Sequence, residues 1–431
     1  MEVAIVGGGI TGLSLALNLH NRGLACRVFE RAPQIRELGV GITLLPHAMR
    51  EFAALGLQDE LCSAGIAIRE SCFFNRFGQL IYREDRGRRA GYPHPEVSIH
   101  RGRLHLILLR AAVARLGTGA VATDRECVGV EQDEAGVTLR FRETTSGRVL
   151  EPVRAGVAIA CDGINSALRK QFYPDDAVAF AGINTWRGIT RHKPFLDGRS
   201  YARTGSILTG KMVIYPIIDE ADDDGNQLIN WMAEIKQDTF AKNDWNQPGN
   251  LADFFAIYRD WRFDWLDVAE LIRTADQVLE YPMVDKDPVA RWTFGRVTLA
   301  GDAAHPMYPR GSNGAAQGAI DARTLAACLA ACRAVHGDPR DALKEYDGKR
   351  LATASQVVRT NREHPPDFIN IKVEELVGDR PFADLDKYIT QEQCGRCRRT
   401  TSGSPASRSP MSPRLNRGAP SAPHKSRPAG A

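Results

Sequence analysis

Glu2-Val-Ala-Ile-Val6-Gly7-Gly8-Gly9-Ile10-Thr11-Gly12 opens a chain of 431 residues. A short apolar run stops at a glycine cluster. Leu13-Ser-Leu-Ala-Leu-Asn-Leu-His20 then continues as a helix that Gly23 closes. Cys26-Arg-Val-Phe-Glu30 reads as a second strand ending in an acid. Gly7-x-Gly9-x-x-Gly12 therefore stands between a strand and a helix, with an acid about 20 residues further on. The first glycine permits the turn, the second lets backbone approach a pyrophosphate, and the third lets helix and strand pack closely. Glu30 is placed to hold ribose hydroxyls. The constellation predicts dinucleotide binding, and no second glycine fingerprint follows to seat a separate stable nicotinamide. Leu38-Gly-Val-Gly41-Ile42 comes next and predicts backbone lying close against a ligand.

A second stretch, far along the chain, completes the first. Val297 to Ala300 is apolar and stops at Gly301-Asp302. Pro306 to Gly314 is a Pro/Gly-rich loop, and an Ala-rich helix runs from about Asn313 to Ala334. The Asp302 carboxylate can accept from the hydroxyls of a polyhydroxylated ligand. The free N–H groups of the helix favour negative charge. Paired with the N-terminal fingerprint, this seat selects FAD over NAD.

Between them the texture alternates. Cys72 to Tyr82 predicts a hairpin turning at Arg76-Phe77-Gly78, and Asp85 to Pro95 a surface loop. Pro46-His47 opens a helix towards Leu57, with His47 a surface or capping residue. Ser98 to Leu104 leads into a helix through Ala114. Val137–Phe141 and Val149–Arg154 form a hairpin. Val157–Ala160 is a buried strand ending in Cys161-Asp162-Gly163. From Ala181 to Ile235 the chain is β-rich and aromatic, which suits a flat apolar ligand. Helices are expected at Leu251–Trp261, Leu266–Ile272 and Ala342–Thr360, and a last amphipathic piece ends near Asp386. Beyond Glu392 there is no acid, and Ser, Pro, Arg and Gly dominate, which predicts disorder. Cys394-x-x-Cys397 lacks a second ligand pair and is incidental; no metal is expected.

The fold class is α/β. A Rossmann-like domain is expected from residues 1–70, 98–175 and 288–335, with an inserted β-sheet substrate domain from 71–97 and 176–287. A helical segment at 336–390 and a basic tail at 393–431 follow. With 56 basic against 52 acidic residues, the charge is too even to argue for nucleic acid. No apolar run spans a bilayer. The N-terminus enters a strand at once, without a signal-peptide pattern. Nine dispersed cysteines point to reduced thiols and a cytoplasmic protein.

Taken together, Gly7-x-Gly9-x-x-Gly12 with Glu30, Asp162-Gly163, and Gly301-Asp302 with Pro309 resemble the flavoprotein aromatic hydroxylases of the p-hydroxybenzoate hydroxylase type. Ser98-Ile-His-Arg-Gly102, Thr185-Trp-Arg-Gly188, Tyr281-Pro-Met-Val-Asp285 and Gly311-Ser-Asn-Gly314 look most like the subgroup acting on 5-methylphenazine-1-carboxylate. The resemblance implies an FAD domain of the GR2 type, with NADH or NADPH as transient co-substrate. An aromatic or heteroaromatic ring would be hydroxylated with O2 through a flavin C4a-hydroperoxide, by a monomer or homodimer without nucleic-acid or membrane partners. By residue, Glu30 would hold the ribose, Arg101 would contact the cofactor, and Asp302 would bind the ribityl chain. Asp162 would serve FAD and NAD(P)H, and Gly311 to Gly314 would face the flavin pyrimidine edge. The cofactor set extends to Gly7, Gly9, Ile10, Thr11, Gly12, Arg31, Gly41, Ile42, Val128, Gly301, Ser312 and Asn313. Trp186, Tyr215, Met307 and Tyr308 are the candidate substrate contacts; His305, Pro309 and Tyr215 are the candidate catalytic residues. A same-fold reductase or halogenase, or a non-catalytic flavin module, is the alternative, although the halogenase pattern Trp-x-Trp-x-Ile-Pro is absent.

Overall fold

The computed structural model describes residues 2–239, 247–363 and 367–401. A six-stranded sheet carries the glycine fingerprint. Its order is Thr293–Phe294, Val297–Leu299, Val157–Ala160, Val3–Val6, Cys26–Phe29 and Val121–Ala122. All neighbours are parallel except the first pair. Such a sheet is covered on both faces, so its central strands are continuous apolar runs. Val3–Val6 and Val157–Ala160 are buried at every position. Ile10–His20 and Gly314–Ala334 pack against each other beside this sheet. Their contact is close because Gly318 lies against Thr11; a Cβ at Gly318 would stand 2.2 Å from Thr11 Oγ1.

The second sheet has eight strands, drawn from residues 70–85, 178–236 and 247–286. Glu70–Phe74 and Leu80–Asp85 form the expected hairpin at its edge. Side chains alternate between its two faces. Trp186, Ile214, Ile229 and Trp231 point to one side and pack with Phe254, Tyr258 and Trp261. The opposite face turns Arg187, Tyr215, Asn230 and Met232 towards the first sheet and its helices.

Three helical expectations change. Leu251–Trp261 is a 3-10 turn at Leu251–Asp253 and a single turn at Phe255–Tyr258, because Phe254, Tyr258 and Trp261 all turn in under the sheet. Residues 266–267 pair with 262–263 before a short helix at Val268–Arg273, where Asp267 accepts from Glu270 N at 2.9 Å. The helix from Pro46 stops at Ala54 and a new one starts at Gln58, because Gly56 between them has φ 71°.

The tail needs a larger correction. Gln391–Thr401 is a helix, so disorder does not begin at residue 393. Cys394 is fully buried with Phe73, Ile81, Ile369 and Ile389, and Gln391 Nε2 donates to Ile81 O at 3.0 Å. Cys394 and the Gln391 bond anchor a helix that is largely polar. The remainder of the tail lies outside the described residues. Among those described, no helix is long and apolar enough to cross a membrane, and no His/Cys/Asp/Glu group is set to hold a metal.

Candidate active site

The two sheets enclose a cavity of about 360 Å³. At one end stand Gly9, Ile10, Thr11, Gly163 and Asp302; Gly41, Ile42 and Arg101 form a side wall; Ser312, Asn313 and Gly314 close another. The floor is the second sheet, through Arg187, Tyr201, Tyr215, Asn230 and Met232. Tyr281, Met307, Tyr308 and Pro309 cover it.

The glycine turn is fixed by space. Gly7 has φ 103°, and a Cβ there would lie 2.4 Å from Cys161 O. At Gly12 a Cβ would stand 2.0 Å from Gly7 O, so no other residue lets this helix sit on its strand. At Gly9 and Gly163 an added Cβ would meet nothing within 4 Å, which leaves bare backbone facing the cavity. Both helices that end at the cavity, Ile10–His20 and Gly314–Ala334, lack a side-chain cap. Their first N–H groups remain for a ligand, one pair of dipole ends for one elongated molecule.

The acids divide by role. Glu30 accepts from Gly8 N at 2.7 Å and from Ala32 N at 2.8 Å, which binds the end of its strand to the glycine turn. Asp162 accepts from Ala167 N at 2.9 Å through Oδ2, while its buried Oδ1 has no partner. Burial raises the Asp162 carboxyl above its usual range. Asp302 opens into the cavity. Its deep setting pushes its carboxyl up, and the charges of His305 and Arg101 oppose that rise.

Several expected site residues lie elsewhere. His305 is buried behind the Gly301–Asp302 turn, with Nε2 2.5 Å from Asp321 Oδ2, and is absent from the cavity wall. Asp321 also accepts from Gly301 N at 2.9 Å and Arg350 Nε at 2.7 Å. Burial alone would raise Asp321; His305 and Arg350 outweigh it and hold the carboxyl down to about 2. His305 thus braces the turn from behind. Trp186 faces away from the cavity and stacks on Phe254, with centroids 5.0 Å apart, because strand alternation sends it opposite to Arg187. Val128 sits 51% exposed in the separate Glu126–Ala155 sheet, and Arg31 is exposed with its carbonyl accepting from Thr144 Oγ1.

The floor carries one expected residue, Tyr215, and two that the sequence did not single out, Tyr201 and Arg187. Tyr201 and Tyr215 stack at 4.7 Å and 8°. Burial pushes the Tyr215 phenol up. Arg187 lies over the Tyr281 ring, 5.1 Å from its centroid, and its buried Nε has no partner. Burial lowers the Arg187 pKa, the mark of a cation without a fixed counter-ion. Alternation in Thr185-Trp-Arg-Gly188 was the available signal: one of Trp186 and Arg187 had to face the site.

A family model for the FAD binding domain matches residues 1–197 and 276–361. The chain belongs to this FAD-binding family. The Phenazine 1,6-dicarboxylic acid hydroxylase PhzS of Lysobacter antibioticus is 38% identical over 367 residues, covering 84% of this chain and 89% of that protein. The 3-amino-4-hydroxybenzoate 2-monooxygenase PtmB3 of Streptomyces platensis is 33% identical over 377 residues, covering 85% and 88%. In fold, the chain is similar to Klebsiella pneumoniae HpxO, solved with FAD and uric acid, at TM-score 0.73 and 21% identity, covering 94% of this chain and 97% of that one. FAD is the cofactor of this family member, and the chain is an FAD-dependent monooxygenase. The bare backbone at Gly9, the two uncapped helices and the open Asp302 fit that cofactor.

Proposed function

We propose that this monooxygenase hydroxylates an aromatic or heteroaromatic carboxylate, using NADH or NADPH and O2. The observation that carries the reading is Arg187, a cation in a ring-lined floor with a buried, unpartnered Nε. A buried guanidinium is half of an ion pair, and its fork matches a carboxylate in two parallel hydrogen bonds. Tyr201, Tyr215 and Tyr281 offer faces to a flat ring beside it. The names of the two curated relatives, a phenazine dicarboxylic acid hydroxylase and an aminohydroxybenzoate monooxygenase, agree with an acid of this kind.

The FAD-binding unit is assigned to residues 1–70, 98–175 and 288–335, and the substrate unit to 71–97 and 176–287. Uncapped N–H groups at Ile10 would hold the pyrophosphate, Asp302 would accept from ribityl hydroxyls, and the N–H groups from Ser312 to Gly314 would stabilise negative charge on the ring system. Bound there, FAD takes electrons from the nicotinamide and activates oxygen. The chain's own part is to align the substrate ring, pair its charge and keep water off the floor with Met232 and Met307. No disulfide joins the nine cysteines, which suits a reducing compartment, and we place the enzyme in the cytoplasm.

The test is a panel of phenazine and benzoate carboxylates beside their primary amides. Substrate-stimulated NAD(P)H oxidation should follow the acids, with product one oxygen heavier. Equal stimulation by the amides would sink the carboxylate reading.

A further inference from the structure

The seam between the substrate sheet and the cofactor wall passes through one side chain. Gly41 N donates to Asn230 Oδ1 at 2.7 Å, across 189 residues of sequence. Asn230 lies on Gln227–Lys236, paired with Tyr215 on one side and Ile189 on the other. Gly41 begins the strand Gly41–Leu44, whose neighbour Glu96–His100 leads directly into Arg101. Both Gly41 and Asn230 line the cavity. The fit is tight: a Cβ at Gly41 would stand 2.8 Å from Asn230 Cγ and 2.8 Å from Ile217 Cγ2.

This bond also settles which way the amide faces. A backbone N–H only donates, so the atom 2.7 Å from Gly41 N must be the amide oxygen. Nδ2 is then turned away from the seam and has no hydrogen-bond partner among the described residues. It is also not one of the sealed, unpartnered polar atoms, so it retains contact with the cavity. Asn230 itself is 2% exposed. A buried amide with one end spent on the cofactor wall and the other end free belongs to neither sheet alone. Its neighbours on the same face are Tyr215, which stacks on Tyr201, and Met232, which pairs with Arg187.

We infer that Asn230 is a positioning residue that couples the two halves of the site. Its oxygen fixes the Gly41–Ile42 backbone against bound FAD. Its N–H2 donates into the substrate space, so a substrate held by Arg187 and the cofactor-flanking backbone share one rigid reference. The first role needs only bound FAD; the second rests on the carboxylate reading given above.

Two variants of the FAD-loaded full chain separate these roles. Asn230→Leu is close in shape and removes both functions. Asn230→Asp keeps an acceptor for Gly41 N and replaces the donor by an anion. Hydrogen exchange at the Gly41 amide is read by mass spectrometry with FAD bound, alongside FAD release after dilution. In Asn230→Leu, Gly41 exchange and FAD release should each rise about tenfold, the factor a lost buried hydrogen bond supplies. Asn230→Asp should match wild type in both. In turnover with the carboxylate that most stimulates wild type, Asn230→Leu should send a larger share of NAD(P)H into hydrogen peroxide. Asn230→Asp should raise KM about tenfold while kcat stays within about twofold. A purely structural asparagine would lower thermal stability and leave the peroxide share untouched.

Wild-type exchange at Gly41 in Asn230→Leu, or Asn230→Asp behaving like Asn230→Leu in exchange and FAD release, would overturn the inference. If no carboxylate stimulates wild type, the carboxylate reading has failed, and exchange and FAD release alone then decide whether Asn230 anchors the cofactor wall.

Discussion

Replacing Arg187 by Met should move stability and activity in opposite directions. Without substrate, Arg187 is a half-buried cation whose Nε is sealed and unpartnered, and its resolved favourable contact is the Tyr281 face at 5.1 Å. That contact is worth about 0.5–1 kcal/mol. Desolvating a guanidinium costs more than this, and Met fills the space without charge. The variant should therefore be unchanged or about 1 kcal/mol more stable, a melting temperature equal to wild type or about 1–3 °C higher. With a carboxylate bound, the same substitution leaves the substrate anion unpaired. Breaking such a pair costs about 2–5 kcal/mol, and contact with the open cavity argues for the lower part of that range. About 2–3 kcal/mol is a fall of about 30–150-fold in kcat/KM. The assay is steady-state NAD(P)H oxidation with a matched acid and amide, paired with thermal unfolding of the FAD-loaded protein. Arg187→Lys should lose about tenfold, because charge is kept and the planar fork is lost. A melting temperature that drops several degrees, or an equal loss for acid and amide, would refute the assignment and make Arg187 a structural residue.

Asp302→Ala removes an acid that lines the cavity beside Gly9 and Gly314, so FAD should bind about 10–100-fold more weakly and the protein should purify pale; a fully yellow variant refutes the role. Gly12→Ala puts a Cβ 2.0 Å from Gly7 O, and urea unfolding should show a loss of about 2 kcal/mol or more. Asp321 is held below its ordinary 3.8, at about 2. Its folded value is depressed, so its contribution of roughly 2 kcal/mol is present above pH 3.8 and lost as pH falls through 2. Asp321→Asn should flatten the acid limb of a stability–pH curve between those values. Cys394→Asp places a charge in a sealed apolar contact and should release Gln391–Thr401, giving new tryptic cleavage there while turnover is kept.

The cofactor end was legible because its constraints leave a readable spacing. Gly12 is dictated by Gly7 five residues earlier, and although Gly7 and Gly301 are crowded by the distant Cys161 and Thr11, each stands in a strand–glycine–helix spacing that the sequence shows directly. The substrate end was legible in part: Tyr215, Met307 and Tyr308 line the cavity as expected, and Trp186 does not. Trp186 and Arg187 are adjacent, and choosing between them requires knowing which face of the strand meets FAD. Both faces of that sheet are buried, one by Phe254, Tyr258 and Trp261 and the other by the cavity wall, so no polar–apolar alternation marks the answer. His305 was misplaced for a related reason: four residues past Gly301 the chain has already turned inward to Asp321. The helix at Gln391 escaped composition because its buried contact, at Cys394 and Gly395, is flanked by exposed polar residues. Asn230 carries no motif, and its meaning depends on a glycine 189 residues away.

The strand order has a consequence for how the enzyme is made. Val297–Leu299 sits beside Val157–Ala160, which sits beside Val3–Val6, so the first sheet is completed only after the whole second sheet has been synthesised. The core around Val3 also draws on Leu325 and Ala354. A nascent chain that ends before residue 302 carries the glycine turn but lacks Asp302 and the second helix terminus, the groups proposed above to hold the ribityl end of FAD. On that placement, cofactor capture would be a late event in synthesis, and yellow colour would mark a chain translated at least into the helix Gly314–Ala334.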